Sequence, residues 1–260
     1  MTLKKYGAIM NMKMIFENRI DIIISTLKER KAVSNKELIS ILGVSESTLR
    51  RDLEFLEEKG LVNRVYGGAT LNRIEVEEKS YIDKEVENVD AKRIIANKAS
   101  KYLKDLKYIY LDAGTTTNYI IDYMKDYDLT VVTNGVSHLD KLIGNNVDTK
   151  LICGSIKPVT KAIYGGEALD NLDNYNFDAA FIGANGIGKN QFTTPDINEA
   201  EVKRKVIERS NQTYILADSS KIGKIYFSKI CNYDQAILIT ELSENEFNEK
   251  RRNYEKKHTK

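Results

Sequence analysis

From Tyr108 to Ile239 the sequence alternates short β-rich runs with helical patterns, and no other feature restricts the fold of the chain so tightly. The strand candidates are Tyr108–Leu111, Leu129–Thr133, Lys150–Cys153, Ala179–Ile182, Thr213–Ala217 and Ala236–Ile239. Helices fit between most of them: Thr117–Met124, Val136–Ile143, Glu167–Leu172 and Glu199–Ser210. Strands joined through helices run in the same direction. The order therefore predicts an α/β domain over residues 91–242, with a mostly parallel sheet covered by helices on both faces. A helix near Asp90–Tyr102 leads into it.

In such sheets ligands bind outside the carboxyl ends of the strands, so the segments after each strand form the candidate site. The first strand is followed by Asp112-Ala113-Gly114-Thr115-Thr116-Thr117, which opens a helix. A glycine with three hydroxyls at a helix N-terminus suits a phosphate: amides point at it, the dipole favours its charge, and the hydroxyls donate to it. The next three strands lead into Thr133-Asn134-Gly135, Cys153-Gly154-Ser155 and Gly183-Ala184-Asn185-Gly186. The fifth leads into Asp218-Ser219-Ser220-Lys221, whose lysine can meet an anion. Each segment alone is an ordinary small-polar turn; five on one edge predict a small polar ligand, anionic in character. The candidate ligand-binding residues are Asp112, Gly114, Thr115, Thr116, Thr117, Thr133, Asn134, Gly154, Gly183, Asn185, Gly186 and Lys221.

The first part of the chain has a different period. Ile20, Ile23, Ile24 and Leu27 make one apolar stripe on a helix from about Phe16 to Arg30. Ser34-Asn35-Lys36-Glu37 has the form of a capping box, flanked by Val33 and Leu38 at the staple positions. A second helix then runs through Leu42 to Gly43, a left-handed cap. Ser45 can cap a third helix, closed by Gly60, whose apolar face is Leu49, Leu53 and Leu56 and whose other face carries Ser47, Thr48, Arg50, Arg51 and Asp52. Two short helices joined by a tight turn, the second rich in hydroxyls and arginines at its start, describe a helix-turn-helix. Arginine can pair with guanine through two hydrogen bonds, and serine or threonine can contact bases or phosphates. Leu61–Tyr66 with Gly67-Gly68 reads as a wing hairpin that lays Arg64 and Tyr66 against the DNA backbone. The candidate DNA contacts are Ser34, Ser45, Ser47, Thr48, Arg50, Arg51, Arg64 and Tyr66.

Residues 17–70 resemble the DeoR family of bacterial regulators through Val44-Ser45-Glu46-Ser47-Thr48-Leu49-Arg50-Arg51-Asp52-Leu53 and Arg64-Val65-Tyr66-Gly67-Gly68-Ala69. Histidine is common in that family where this chain has Tyr66, which keeps an aromatic ring. Residues 108–223 resemble the DeoR-type sensor domain, which is similar to the ribose-5-phosphate isomerase and CoA-transferase group of folds. The matching pieces are Asp112–Thr116, Thr133-Asn134, Gly165-Gly166-Glu167, Phe181–Ile187, Thr194-Pro195-Asp196 with Glu199-Ala200 and Lys203, and Asp218–Lys221. The resemblance implies a transcription regulator, expected to repress an operon for sugar catabolism or uptake. It also implies an N-terminal winged helix-turn-helix that binds double-stranded operator DNA and a phosphorylated sugar or polyol that releases it. Lys203 joins the effector-binding set on this ground. The Thr-Pro-Asp and Glu-Ala stretches are also seen in members tied to fructose or galactose/tagatose catabolism. Activation in place of repression stays open.

The rival reading is a sugar-phosphate isomerase fused to a DNA-binding head. Isomerisation needs a carboxylate over the substrate carbon and a lysine or acid to stabilise the enediolate. In the isomerases of similar fold an acid-rich Gly-Ala-Asp-Glu segment stands where this chain has Gly183-Ala184-Asn185-Gly186, and an amide cannot take a carbon-bound proton. Glu167, Asp196 and Glu199 remain as candidate bases.

Charge distribution fits a DNA-binding front end: residues 1–73 carry 13 lysines and arginines against 9 acids, the rest 27 against 29. No run approaches the ~20 apolar residues of a membrane helix, and no signal-peptide pattern is read at the N-terminus. Two cysteines and two histidines suggest neither a disulfide framework nor a metal cluster, so no metal or cofactor is expected and a reducing cytoplasm is the expected location. Four of the five methionines lie in residues 1–14, which suggests a leader with a true start at Met12 or Met14. The expected boundaries are a disordered leader (1–14), the winged helix-turn-helix (15–71), a polar linker (72–90), the sensor domain (91–242) and a charged, frayed C-terminal tail (243–260). A homo-oligomer, dimer or tetramer, is expected.

Overall fold

A computed structural model describes residues 16–30, 32–58, 61–71 and 79–258, and its contacts divide the chain into two units, Met1–Val76 and Glu77–Lys260. The expected leader, the closing Gly60 and residues 72–78 of the expected linker lie outside the described residues.

In the first unit the sequence periods appear as helices. α1 (Phe16–Arg30) buries Ile20, Ile23 and Leu27. β1 (Ala32–Ser34) leads into α2 (Asn35–Leu42), where the Ser34 hydroxyl accepts from the Glu37 amide at 3.3 Å and Gly43 closes the helix at φ 62°. Only this half of the capping box forms, because the Glu37 carboxylate turns to Arg30. α3 (Glu46–Glu58) buries Leu49, Leu53 and Leu56. β2 (Val62–Val65) and β3 (Gly68–Leu71) form the hairpin, and β1 joins it in the order β1-β3-β2. Gly68 sits where that third strand crosses, since a Cβ there would collide with the Val33 carbonyl.

The sequence reading placed Asp52 on the polar face of α3, and the structure corrects this. Asp52 lies three residues after Leu49, so it turns inward, 2% exposed, and takes Arg19 on both oxygens at 2.7 and 2.9 Å. A buried carboxylate needs such a partner; here the pair ties α1 to α3.

The second unit opens with α4 (Tyr81–Val86), which corrects the linker expectation there, and α5 (Val89–Ser100), which stands where a helix near Asp90–Tyr102 was expected. The central sheet contains β4 (Tyr108–Leu111), β5 (Thr130–Thr133), β6 (Asp148–Leu151), β9 (Phe177–Gly183), β12 (Ser210–Leu216) and β14 (Ile237–Ile239). All its pairings are parallel, in the order β14-β12-β9-β4-β5-β6. The six predicted strands are these six. α6 (Thr115–Asn118), with a 3₁₀ helix over Tyr119–Asp126, connects β4 to β5, and α7 (Leu139–Gly144) connects β5 to β6. α8 (Gly166–Leu172) and α9 (Ile197–Glu208) follow β6 and β9.

Alternation along each strand separates two cores. Ile109, Leu111, Val131, Ala179, Phe181, Tyr214 and Leu216 pack against α5, α7 and the 3₁₀ helix. Tyr110, Val132, Ala180, Ile182 and Ile215 pack against α8 and α9. The short hairpin β7 (Ser155–Lys157) and β8 (Ala162–Tyr164), and the small sheet of β10 (Gly186–Ile187), β11 (Gln191–Thr194) and β13 (Ser228–Asn232), had no signal in the sequence reading. The expected frayed tail is a helix, α10 (Glu244–His258).

Between the ends of β4 and β5 lies His138, fully buried, its ring nitrogens 3.2 Å from the Gly114 carbonyl and 3.4 Å from the Thr133 hydroxyl. Burial pushes its pKa down from 6.5 to about 4, so the ring is neutral near pH 7.

Two stability predictions follow from these buried groups. Arg19→Met strands the Asp52 carboxylate and should cost about 2–4 kcal/mol of stability in denaturant melts; a loss below ~1 kcal/mol would show that the pair does not hold α1 on α3. For His138 the unfolded chain binds the proton first, so stability is lost as pH falls from about 6.5 toward 4, by roughly 3 kcal/mol in all. His138→Gln should flatten the melting profile over that window, and an unchanged slope would rule out this residue as its source.

Candidate functional site

Two groups of candidate residues come from the two units. In the first, Ser45 is engaged at the start of α3: its oxygen accepts from the Thr48 amide at 3.2 Å and lies 2.9 Å from the hydroxyls of both Ser47 and Thr48. Ser34 spends its oxygen on capping α2. Arg50 pairs with Glu54 at 2.9 Å, and Arg64 reaches Glu54 at 3.2 Å and Glu57 at 3.7 Å. Arg50, more than Arg64, holds the Glu54 carboxyl below its ordinary range. Arg51 is exposed and has no ion-pair partner among the described residues. Tyr66 projects fully from the hairpin tip, next to Gly67 at φ 81°. A helix face that presents hydroxyls and two arginines beside an aromatic wing tip has the chemistry to meet bases and phosphates together.

The second group converges on one cleft of about 730 Å³, including its open mouth. Sheet order reverses between β4 and β9, the first strand and its neighbour from the second half. Crossovers leave in opposite directions at such a switch point and open a crevice at the strand ends. Asp112 ends β4 there. One of its oxygens accepts from the Gly183 amide at 2.9 Å, at the end of β9, and receives the ammonium of Lys203 from α9. Asp112 and Lys203 are both buried, and both line the cleft. Gly114, Thr115, Thr116, Gly183, Asn185 and Lys221 line it as well.

Five other candidates are not among the residues that line the cleft. The Thr117 hydroxyl donates to the carbonyls of Asp112 (2.6 Å) and Gly114 (2.7 Å). Thr133 donates to the Leu111 carbonyl at 2.6 Å and accepts from the Gly135 amide at 3.0 Å. The Asn134 side chain accepts from the Ala113 amide at 2.9 Å and donates to the Ile163 carbonyl at 3.2 Å. These three are buried, with their polar atoms turned to backbone. Gly154 lies against the Tyr164 carbonyl, and Gly186 against the Lys224 carbonyl, where a Cβ would collide.

Sequence reasoning missed Tyr81, Lys84, Glu87, Asn88 and Lys92, which α4 and α5 bring to the cleft, and also Thr160; Asp218, which stood in a candidate segment but outside the ligand-binding set, lines the cleft too. The available signal was Lys92, a charge on the stripe of Lys92, Ile95, Ala96 and Ala99 that α5 buries. Its ammonium is aimed at the last carbonyls of α4, at Lys84 and Glu85. Asn88, left-handed at φ 51°, donates to Asp218 at 3.2 Å. Burial pushes both Lys92 and Lys221 below the ordinary lysine range; Asp218 opposes this, and neighbouring lysines add to it, Lys221 acting on Lys92, and Lys224 and Lys84 on Lys221. Two crowded, partly desolvated ammonium groups favour an anion between them.

The acids nearby are already engaged. Asp218 accepts from the Ser220 amide at 2.9 Å, and Glu199 takes the Thr160 hydroxyl at 2.7 Å and Lys157 at 3.2 Å. Asp196 caps α9 and pairs with Lys157 at 2.8 Å. Among the described residues no group of three or more acids, histidines and cysteines could hold a metal ion, and no helix is long and apolar enough to cross a membrane.

Comparison with known proteins agrees with both halves. Residues 19–75 match the DeoR-like helix-turn-helix domain and residues 87–241 the DeoR C-terminal sensor domain, which leaves α10 beyond the match. An HTH-type transcriptional regulator FruR of Bacillus subtilis is 44% identical over 87% of this chain and 91% of its own length. The lactose phosphotransferase system repressor of Staphylococcus epidermidis is 33% identical over 82% and 87%. Among solved structures, ribose 5-phosphate isomerase A from Methanocaldococcus jannaschii aligns at a TM-score of 0.41, 19% identical over 53% of this chain and 56% of its own. With both domain models covering most of its length, this chain belongs to the DeoR family of helix-turn-helix transcriptional regulators.

Proposed function

We propose that this regulator represses an operon for sugar uptake or catabolism, that its N-terminal unit binds the operator, and that a phosphorylated sugar in the cleft releases it. The observation that carries the reading is the switch-point cleft itself. Lys92 and Lys221 crowd its wall, the Thr115–Thr116 turn offers hydroxyls, and its carboxylates are held by protein partners. A relative named for repression of a lactose phosphotransferase system points the same way. The protein acts as a homo-oligomer in the cytoplasm.

The same engagement argues against catalysis. A general base needs a carboxylate free to take a proton from carbon. Asp112 is bound by Lys203 and Gly183, Glu199 by Thr160 and Lys157, and Asp196 by Lys157 and its own helix. Glu167 is exposed on α8, away from the cleft lining, and Asn185 accepts from Thr194 at 3.0 Å.

An effector shifts DNA affinity only through its different affinity for two arrangements of the protein. A coupling of about 1–3 kcal/mol gives roughly 5–150-fold weaker operator binding. The direct test is a gel shift with the promoter of the protein's own operon and a panel of hexose and pentose phosphates. Release by one phosphate ester but not by its parent sugar is expected; steady turnover of any panel member would overturn the reading. Arg51→Ala should weaken operator binding by about 1–3 kcal/mol if it reads a base, and an unchanged gel shift would remove α3 from recognition. Thr116→Val and Lys221→Met should each keep operator affinity and lose the response to the sugar phosphate; a normal response would exclude that residue from the site.

A further inference from the structure

We infer that the C-terminal helix α10 is a working part of the effector site, because it positions the loop that carries Lys221. The inference rests on the sugar-phosphate reading above. α10 is rich in charge, yet one stripe of it, Phe247, Lys250, Arg251 and Tyr254, follows i, i+3, i+4, i+7 spacing and meets the sensor unit along its length. Phe247 packs against the core shared with α8 and α9. Lys250 donates to the Ser219 hydroxyl at 2.9 Å. Arg251 donates to the Lys189 carbonyl at 2.7 Å and lies over the Tyr233 ring at 5.3 Å. Tyr254 lies on the bare Cα of Gly223, where a Cβ would fall inside its ring.

Two of these four residues, Lys250 and Tyr254, land on one short loop. After β12 the chain makes a single 3₁₀ turn over Ser219–Lys221 and reaches Gly223 at φ 82°. One turn of 3₁₀ helix has little hydrogen bonding of its own, while this one must hold a lysine whose charged form burial disfavours. Supports therefore come from elsewhere. On one side the Glu241 carboxylate accepts from the Ser219 amide at 3.1 and 3.0 Å. On the other, Lys250 and Tyr254 close over Ser219 and Gly223. The turn that launches α10 is itself locked, since Lys98 of α5 donates to the carbonyls of Thr240, Glu241 and Leu242 at 2.8–2.9 Å. Tyr254 and Lys250 are positioning residues: they act on the ligand through Lys221.

The test uses the full-length protein with Tyr254→Ala, Tyr254→Phe and Gly223→Ala. Amide exchange over residues 219–224 without ligand should rise about tenfold in Tyr254→Ala and in Gly223→Ala, as for a loop released from its packing, and stay near wild type in Tyr254→Phe, which keeps the ring. With whichever sugar phosphate releases the wild type, Tyr254→Ala should bind that ester about tenfold more weakly at unchanged operator affinity, the loss from displacing one charge-assisted contact. In a Lys221→Met background the same substitution should cost no further effector affinity, a coupling that general destabilisation would not produce. Unaltered exchange in Tyr254→Ala overturns the inference, and so does an effector loss that persists undiminished without Lys221. If no sugar phosphate releases the wild type, the reading of the ligand fails by itself, and the exchange measurement still decides the role of α10.

Discussion

The carboxylate of Asp112 joins the two strand ends between which the order of the central sheet reverses. At that point the crossovers diverge and leave the ends of β4 and β9 without covering structure, so some polar group has to satisfy the backbone there. One oxygen of Asp112 does this for the Gly183 amide and at the same time neutralises Lys203, which reaches across from α9. The floor of the cleft is thereby tied to both halves of the sheet. A charge pair this deeply buried is tolerated because it is hydrogen-bonded, and breaking it would leave an ion without solvent or partner.

Around that floor the polar residues divide by where their hydrogen bonds go. Thr117, Thr133 and Asn134 face the backbone of β4, β8 and the adjoining turns and shape the cleft from behind, with neutral His138 filling the space between them. Thr115, Thr116 and Lys221 line the cleft, and Lys92 lies buried in its wall with its ammonium on the last carbonyls of α4. The lysines come from α5 and from the loop after β12, two elements that the sheet topology brings together from opposite ends of the domain. In the proposed reading this is why the cleft senses rather than reacts: its cations are crowded and its anions are spoken for.

The DNA-binding unit follows a similar economy on a smaller core. Its three helices pack through single stripes of leucine and isoleucine, and the bidentate Arg19–Asp52 pair adds a directional tie where apolar contact alone sets no register. On the surface, Glu54 holds both Arg50 and Arg64. Exposed pairs of this kind are weak, so phosphate can compete for both arginines without a large penalty.

Much of this was legible in order along the chain. Periods of 3.6 residues gave α1 to α3, apolar runs gave the six parallel strands, and the glycine and threonine turns after them pointed to the end of the sheet where the cleft lies, because hydrophobic spacing and turn chemistry are local properties that survive translation into structure. The sequence could not say which small-polar residues line the cleft, since Thr116 and Thr117 differ only by the 100° that separates successive helical positions, and only the packed helix decides which one is spent on backbone. It also hid the two contributions from outside the sheet. α4 looked like linker because most of what it and its end bring to the cleft is polar, Lys84, Glu87 and Asn88 beside Tyr81, and α10 looked like a solvated tail because its contact stripe is built from arginine, lysine and two aromatics. Hydrophobic pattern determined the strands, the helices and the edge where a site belongs; tertiary structure alone decided which charges that site contains, because burial of a charged group depends on partners distant in sequence.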